Sequence, residues 1–381
     1  MADFMRRLRG LQVKMEERGL DLVVLGAGPD FQYLTDTSVE WRRGRDLVNP
    51  SDSVFVPLEG QPIILAGAGA ASHAKEGWVT DVRSLGMFEN PTQAIKDIVS
   101  ELSGEPKKVG VGEYTWASMF MTLASVCRGA KFRSAEGLMD DLRMVKEPEE
   151  IEKLRKTAKL TDTVMGRIID QMTEGDTMRS TGLKIETMGR MIGAADVSFP
   201  STAGFCKSGS EPSQAIFNYG PEQGLEEGSS IAFDVGFVLE GYCSDWGRSL
   251  YYGAPDQHIS DAYNCLQAAV VETMDSMGNE IHRVNEIFPS IERVCDRLGY
   301  GEYLRARLPD GVVGHQIGVE VHEDPWLKPG NEQELVDGMV FCVEPKLWNK
   351  GEYYLRVEDM VLIRNGKAES LTTYDRERFI L

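Results

Sequence analysis

Residues 231–252 read IAFDVGFVLEGYCSDWGRSLYY, two apolar, β-rich arms joined by LEGY, a short glycine-bearing segment. Such arms fold as an antiparallel hairpin, which sets Asp234 and Asp245 side by side. A second stretch, VFCVEPKLWNKGEYYLRVEDMVLI (340–363), repeats the pattern around NKGE and carries Glu344 and Glu358. Between them lies VGHQIGVEVHEDP (313–325) with His315. Two hairpins and one imidazole thus offer four carboxylates and a nitrogen. Phe, Val, Cys and Met crowd Asp234, Glu344 and Glu358, in runs too apolar for a wetted strand face. Buried acids in this number require cations, and neighbouring Lys and Arg are too few to be their only partners. The donor set suits two divalent cations of intermediate hardness.

DVGFVLEGYCSD, GHQIGVEVHEDP, VEP and RVED resemble, in order and spacing, the motifs of the pita-bread metallohydrolases, a family that includes methionine aminopeptidase, aminopeptidase P, prolidase and the metal-free creatinase. The likeness runs from about residue 150 to the C-terminus. RMVKEPEEIEKLRKTAKLTD (143–162) resembles the family's entry helix, and the preceding residues look like the creatinase/prolidase N-terminal domain. The resemblance implies an α/β N-terminal domain over residues 1–140 and an α+β pita-bread catalytic domain over 150–381. It implies that Asp234 chelates one metal, that Asp245 and Glu358 bridge both, and that His315 and Glu344 complete the other. Manganese is the first candidate ion, with cobalt, zinc or iron as alternatives. The family's pseudo-twofold core also accounts for two hairpins that each carry two acids, although no repeat shows by identity.

Length and composition agree with two soluble domains. A chain of 381 residues can bury a large core, and 42% hydrophobic with 27% charged residues is ordinary for a globular protein. A net charge of −19 argues against nucleic acid or an anionic membrane surface as a partner. The six cysteines are scattered, with no CxxC pair, and read as reduced thiols, several of them core fillers. The N-terminal MADFMRRLRGLQVKMEERG has an amphipathic helical pattern without an apolar signal core, and no window reaches membrane-spanning length. A cytoplasmic protein is expected.

Along the first domain, DLVVLG, FQYLT, SVFVPL, PIILAG and KKVGVG read as short strands among helices, with a further helix over TWASMFMTLASVC. Charge rises near GLMDDLRMVKEPEE, where Pro148 can start a long helix. Helices are expected over 149–173, 177–194, about 258–277 and 282–298, with a Gly/Ser/Pro-rich loop at 198–214.

Two cations hold a hydroxide near neutral pH by lowering the pKa of water towards about 7, and polarise a carbonyl under attack. Glu344 is the candidate acceptor of the nucleophile's proton. His322, seven residues after His315, is the candidate donor to the substrate carbonyl or leaving nitrogen, the alternative being a strand residue bonded to backbone. Arg356, two residues before Glu358, pairs with a ligand carboxylate or reaches a substrate carboxylate. Arg248 reads as structural support.

Departures from the resembled peptidases concern the substrate. Where they place a second histidine in an HY pair, SGSEPSQAIFNYGPE (208–222) offers Asn218 and Tyr219, and asparagine cannot shuttle a proton near pH 7. Lys346 and Trp348 follow VEP where glycine and tyrosine are common, and Gly247 replaces a threonine. EWRRGRD (40–46) concentrates Trp41, Arg42, Arg43 and Arg45, a solvated basic loop or a substrate contact. In the two-domain family this part of one subunit reaches the other's active site, so a homodimer is implied, with the arginines forking a small carboxylate. The expected activity is metal-dependent hydrolysis of a small C–N bond, Xaa-Pro dipeptidase-like. The alternatives are an amidohydrolase or lyase acting on a non-peptide, amino-acid-derived osmolyte, and an inactive peptidase-like binding module.

Overall fold

The computed structural model describes residues 3–37, 39, 41–43, 49–212 and 215–381, with Arg43 described by its backbone alone. The chain divides into two compact units, Met1–Arg143 and Met144–Leu381.

The first unit is built on a six-stranded mixed sheet. Its strands are β1 (Leu22–Gly26), β2 (Ser53–Pro57), β3 (Ile63–Gly67), β4 (Asp81–Leu85), β5 (Lys108–Val111) and β6 (Lys131–Ser134), in the order β4-β3-β2-β1-β5-β6. β2 runs antiparallel to both β1 and β3, and the remaining pairs are parallel. Both faces of β1 are buried, as its unbroken LVVLG run requires. FQYLT, read as a strand, is instead the body of a helix, Pro29–Thr35. Pro29 occupies the first helical turn, where its missing N–H costs nothing, and Phe31 to Thr35 are all buried, so no polar face marks the helical period.

The second unit opens with the helix Pro148–Ile169, whose Glu147 N–H donates to Glu150 Oε2 at 3.0 Å across its first turn. Met178–Met191 follows, then β7 (Asp196–Val197) and β8 (Thr202–Lys207). β8 lies inside the expected 198–214 loop: TAGFCK is a strand, and the Gly, Ser and Pro residues around it obscured six residues of sheet. Next come β9 (Ser229–Asp234), β10 (Phe237–Leu239), β11 (Tyr242–Cys243) and β12 (Ser249–Tyr252). The helices Gln257–Ser276, Ile287–Leu298 and Gly301–Arg307 lead to β13 (Gly314–Gln316), β14 (Val340–Val343), β15 (Lys346–Asn349), β16 (Tyr353–Arg356), β17 (Asp359–Arg364) and β18 (Lys367–Ser370). One core packs Val164, Met165, Ile168 and Ile185 against Phe205, Ile231 and Phe233. A second packs Leu266, Val270, Ile291 and Val294 against Phe341, Val343, Leu355 and Val357. Each half of the unit is thus helices laid on antiparallel strands, the pita-bread arrangement.

Candidate metal centre

One register carries the whole Asp hairpin. Ala232 pairs with Ser249, Val235 with Trp246, and Val238 with Cys243. Glu240 and Gly241, both at positive φ, make the tight turn that this pairing needs. Asp234 therefore faces Gly247, and Asp245 lies diagonally across on the same face. The Glu hairpin is equally regular. Val343 pairs with Asp359 and Lys346 with Arg356, which sets Glu344 opposite Glu358. Phe341, Val343, Leu347, Leu355, Val357 and Val361 fill the core behind it, so the alternate residues form the other face. That face is a ladder of cross-strand rungs: Cys342 with Met360, the two glutamates, Lys346 with Arg356, and Trp348 with Tyr354.

The hairpins join at one bridge, Gly247 with Glu358, where Glu358 N–H donates to Gly247 O at 2.9 Å. A side chain cannot fit there. A Cβ on Gly247 would lie 2.4 Å from Arg356 Cδ and 2.7 Å from Glu358 Oε2. The glycine leaves room for Arg356 to cross the site and pair with Asp234, with Glu344 Oε2 at 3.1 Å and with Glu358 Oε2 at 3.7 Å. Lys346 pairs with Glu344 as well.

Asp245, His315 and Glu358 gather with Cys342 so that one donor atom from each lies within 4.8 Å of all the others, and all four are buried. His315 is held by a 2.9 Å contact between Nδ1 and Gln316 O. A carbonyl only accepts, so Nδ1 carries the proton and Nε2 presents its lone pair, 3.5 Å from Asp245 Oδ2 and 4.0 Å from Glu344 Oε1. Asp234 joins the group through Arg356. All five residues singled out in the hairpins and the His segment thus share one network. Asp245, His315 and Glu358 are buried in it, while Glu344 is partly open and Asp234, expected on an unwetted face, has a third of its side chain exposed.

The electrostatics fit divalent cations. Among the described residues, Asp245 Oδ1 and both carboxylate oxygens of Glu358 are buried without a hydrogen-bond partner. Burial, then repulsion from Asp234 and Glu344, pushes the Asp245 carboxyl well above the usual range. Burial, then Asp245 and Glu344, does the same to Glu358. Burial also opposes ionisation of Glu344, but Lys346 and Arg356 overcome it and hold that carboxyl down at about 2. Unpartnered carboxylate oxygens at this density are costly unless cations fill the space between them.

His322 reaches the same place by leaving the sheet. β13 ends at Gln316, Gly318 N–H donates to Glu320 O at 2.9 Å, and the chain returns so that Gln316 bridges Glu323. The His322 ring stands edge-on to His315 at 4.4 Å and stacks on Trp326 at 5.1 Å. Desolvation, then the neighbouring His315, holds its imidazole below the ordinary value of 6.5. Lys146, unremarked in the sequence, fixes this loop: its buried Nζ donates to Gln316 Oε1 at 2.6 Å and meets Glu323 Oε2 at 3.1 Å.

Arg248 is structural, as expected. It is fully buried, 2.6 Å from Asp359 Oδ1, and it donates to the Glu358 carbonyl. Arg248→Ala is expected to cost about 3 kcal/mol, the lower part of the range for breaking a buried pair, because Arg376 still faces Asp359. A denaturant midpoint unchanged from wild type contradicts that assignment. Asn218 is occupied otherwise than as a free substrate contact: its Oδ1 accepts from Lys207 N–H at 2.8 Å and its Nδ2 donates to Lys207 O at 3.0 Å. In the first unit, Trp41 Nε1 donates to Gln32 Oε1 at 3.1 Å, and the Arg42 guanidinium lies 4.2 Å over the Trp41 ring. Arg45 and the side chain of Arg43 lie outside the described residues.

Comparison with known proteins agrees with this centre. Residues 152–365 match the model of metallopeptidase family M24, and residues 7–145 that of the creatinase/prolidase N-terminal domain. A putative dipeptidase of Bacillus subtilis (strain 168) is 26% identical over 330 residues, covering 86% of this chain and 88% of the relative. An Xaa-Pro dipeptidase of Pyrococcus furiosus is 24% identical over 375 residues, covering 97% and 99%. The crystal structure of a dipeptidase from Pyrococcus horikoshii OT3 superposes with a TM-score of 0.85 at 25% identity, covering 98% of this chain and 100% of that one. Fold, motif order and family match converge: the chain belongs to metallopeptidase family M24, with a creatinase/prolidase N-terminal domain ahead of its pita-bread catalytic domain.

Proposed function

We propose that the protein is a metal-dependent hydrolase of a small peptide or amide C–N bond, acting as an Xaa-Pro dipeptidase does. The observation that carries this reading is the rung Glu344–Glu358 beside Asp245 and His315, with three buried carboxylate oxygens that make no hydrogen bond. Asp234, Asp245, His315, Glu344 and Glu358 would hold two divalent cations, and the predominance of carboxylates favours manganese. Such cations supply Lewis-acid polarisation of the scissile carbonyl and a lowered pKa for water.

The protein's own groups do the rest. Glu344, ionised between Lys346 and Arg356, accepts the proton of the attacking water. His322, on the rim beside His315, donates to the substrate carbonyl or leaving nitrogen. Charge accounting assigns the substrate's other end. Four carboxylates against two divalent cations leave Arg356 and Lys346 uncompensated, so the site favours a substrate bearing a carboxylate, which Arg356 can fork. A dipeptide C-terminus meets that need.

A second reading keeps the site and changes the substrate to a non-peptide amide or an amino-acid-derived osmolyte. Lys346 favours it, being an additional cation cross-strand from Arg356 where the resembled peptidases carry glycine. An inactive binding module is disfavoured by the complete donor set. We also propose a cytoplasmic homodimer in which the 40–46 segment of one copy, with Trp41, Arg42, Arg43 and Arg45, completes the partner's site. Among the described residues, no helix is long and apolar enough to cross a membrane.

Manganese-loaded protein assayed against Xaa-Pro dipeptides and small N-acyl amino acids separates the readings. Turnover of the dipeptides that a chelator abolishes is expected. Turnover confined to the N-acyl compounds selects the second reading, and activity towards neither removes both. Sedimentation of a fully active monomer contradicts the dimer.

A further inference from the structure

Cys342 lies in an apolar run, yet the fold places its side chain away from the hydrophobic core. It alternates with Phe341 and Val343, which point into the hydrophobic core, so its side chain shares the face of Glu344. His315 is its direct cross-strand partner on one side and Met360 on the other. It is completely buried, one rung below the glutamates. Its Sγ belongs to the set of donor atoms from Asp245, His315 and Glu358 that all lie within 4.8 Å of one another. Two members of that set, Asp245 and Glu358, carry buried oxygens that make no hydrogen bond. Four donors this close can surround a single ion.

We propose that the Cys342 thiol is a metal ligand, closing from below the position shared by Asp245, His315 and Glu358. This rests on the cation-binding reading above and adds a donor to it. On coordination the S–H bond breaks, a sulfur–metal bond forms and the proton leaves to solvent, with no change of oxidation state. A sulfur in the donor set has a chemical consequence. The two cation positions become unequal, because carboxylate oxygens suit manganese while a thiolate favours zinc, cobalt or iron. The position above Cys342 therefore selects the softer ion, and the outer position, with Asp234 and without sulfur, the harder one.

The test uses the full chain loaded with cobalt(II) alone, then with zinc alone. Cobalt-loaded protein is expected to show a thiolate-to-cobalt charge-transfer band in the near ultraviolet, and X-ray absorption of zinc-loaded protein a sulfur scatterer at about 2.3 Å. Cys342→Ser should abolish both signals and weaken cobalt binding at one position by at least about 10-fold, no less than the loss of a group that only supports a ligand. Cys243→Ser is the control. Its thiol donates to Val319 O at 3.3 Å, and both signals should persist in that variant. Wild-type protein that binds two cobalt ions with neither band nor sulfur scatterer overturns the ligand role while the metal centre stands. Wild-type protein that binds no cobalt overturns the centre and the ligand together. The wild-type spectra decide the question even if Cys342→Ser fails to fold.

Discussion

His322→Ala is expected to bind metal at wild-type stoichiometry and lose roughly 10²–10⁴-fold in kcat, the usual worth of a positioned proton donor. His315→Ala should instead lose cations along with activity. The contrast follows from where each ring stands. His315 is buried, its Nδ1 is fixed by Gln316 O, and its Nε2 faces Asp245 and Glu344. His322 lies one ring further out on Trp326, in a turn held by Lys146. Metal content, melting temperature and kcat measured on both variants separate a ligand from a proton donor and from a merely structural histidine. A His322→Ala enzyme with wild-type kcat removes the proposed donor and leaves the metal centre standing. Lys146→Met adds a graded check: by freeing Glu323 and Gln316 it should lower kcat without changing metal content, because it positions His322 and touches no cation.

The sequence made the hairpins legible because alternation and turn chemistry are local. VFCVEP and LRVED place glutamates on one face of a strand whichever sheet they join, and the Gly241 and Gly351 turns fix the register that sets Glu344 against Glu358. What spacing does not encode is contact across a sheet. Cys342 looks like any apolar-run cysteine until β13 pairs with β14 and brings His315 beside it. Lys146 lies 170 residues from Gln316 in the chain, and no periodicity points to it. His322 falls under the same limit. Odd spacing from His315 argues for opposite faces in a regular strand, and the two rings meet because the chain leaves the sheet at Gln316. The FQYLT helix and the TAGFCK strand show the other limit: a short run fits either period or is masked by the loop residues around it, and the tertiary partner decides. The absent histidine marks Asn218 in the sequence. Its amide nevertheless pairs with both backbone groups of Lys207, so the departure alters local support as well as chemistry.

Asp245→Ala and Glu358→Ala are each expected to lose both cations, since each would remove a carboxylate shared by two ions. Metal analysis of purified variants checks this, and full stoichiometry in both refutes the bridging roles. Stability should report the same physics. In metal-free protein the Asp245 and Glu358 carboxyls titrate well above the usual range, mainly because they are buried and then because the other carboxylates repel them. Groups whose folded pKa is raised contribute stability that is fully present below the unfolded value of about 4 and is lost as pH rises through the folded values. Chelated protein should therefore melt at progressively lower temperature as pH climbs from about 4 towards neutrality. Added manganese should reverse the trend, because cations are bound by the ionised carboxylates and release their protons. In Glu358→Ala the metal-free slope should flatten, as one of the two raised carboxyls is gone. A chelated wild type whose melting temperature rises over the same pH range would mean that Arg356 and Lys346 already neutralise the cluster, and that cations are not what the four carboxylates require.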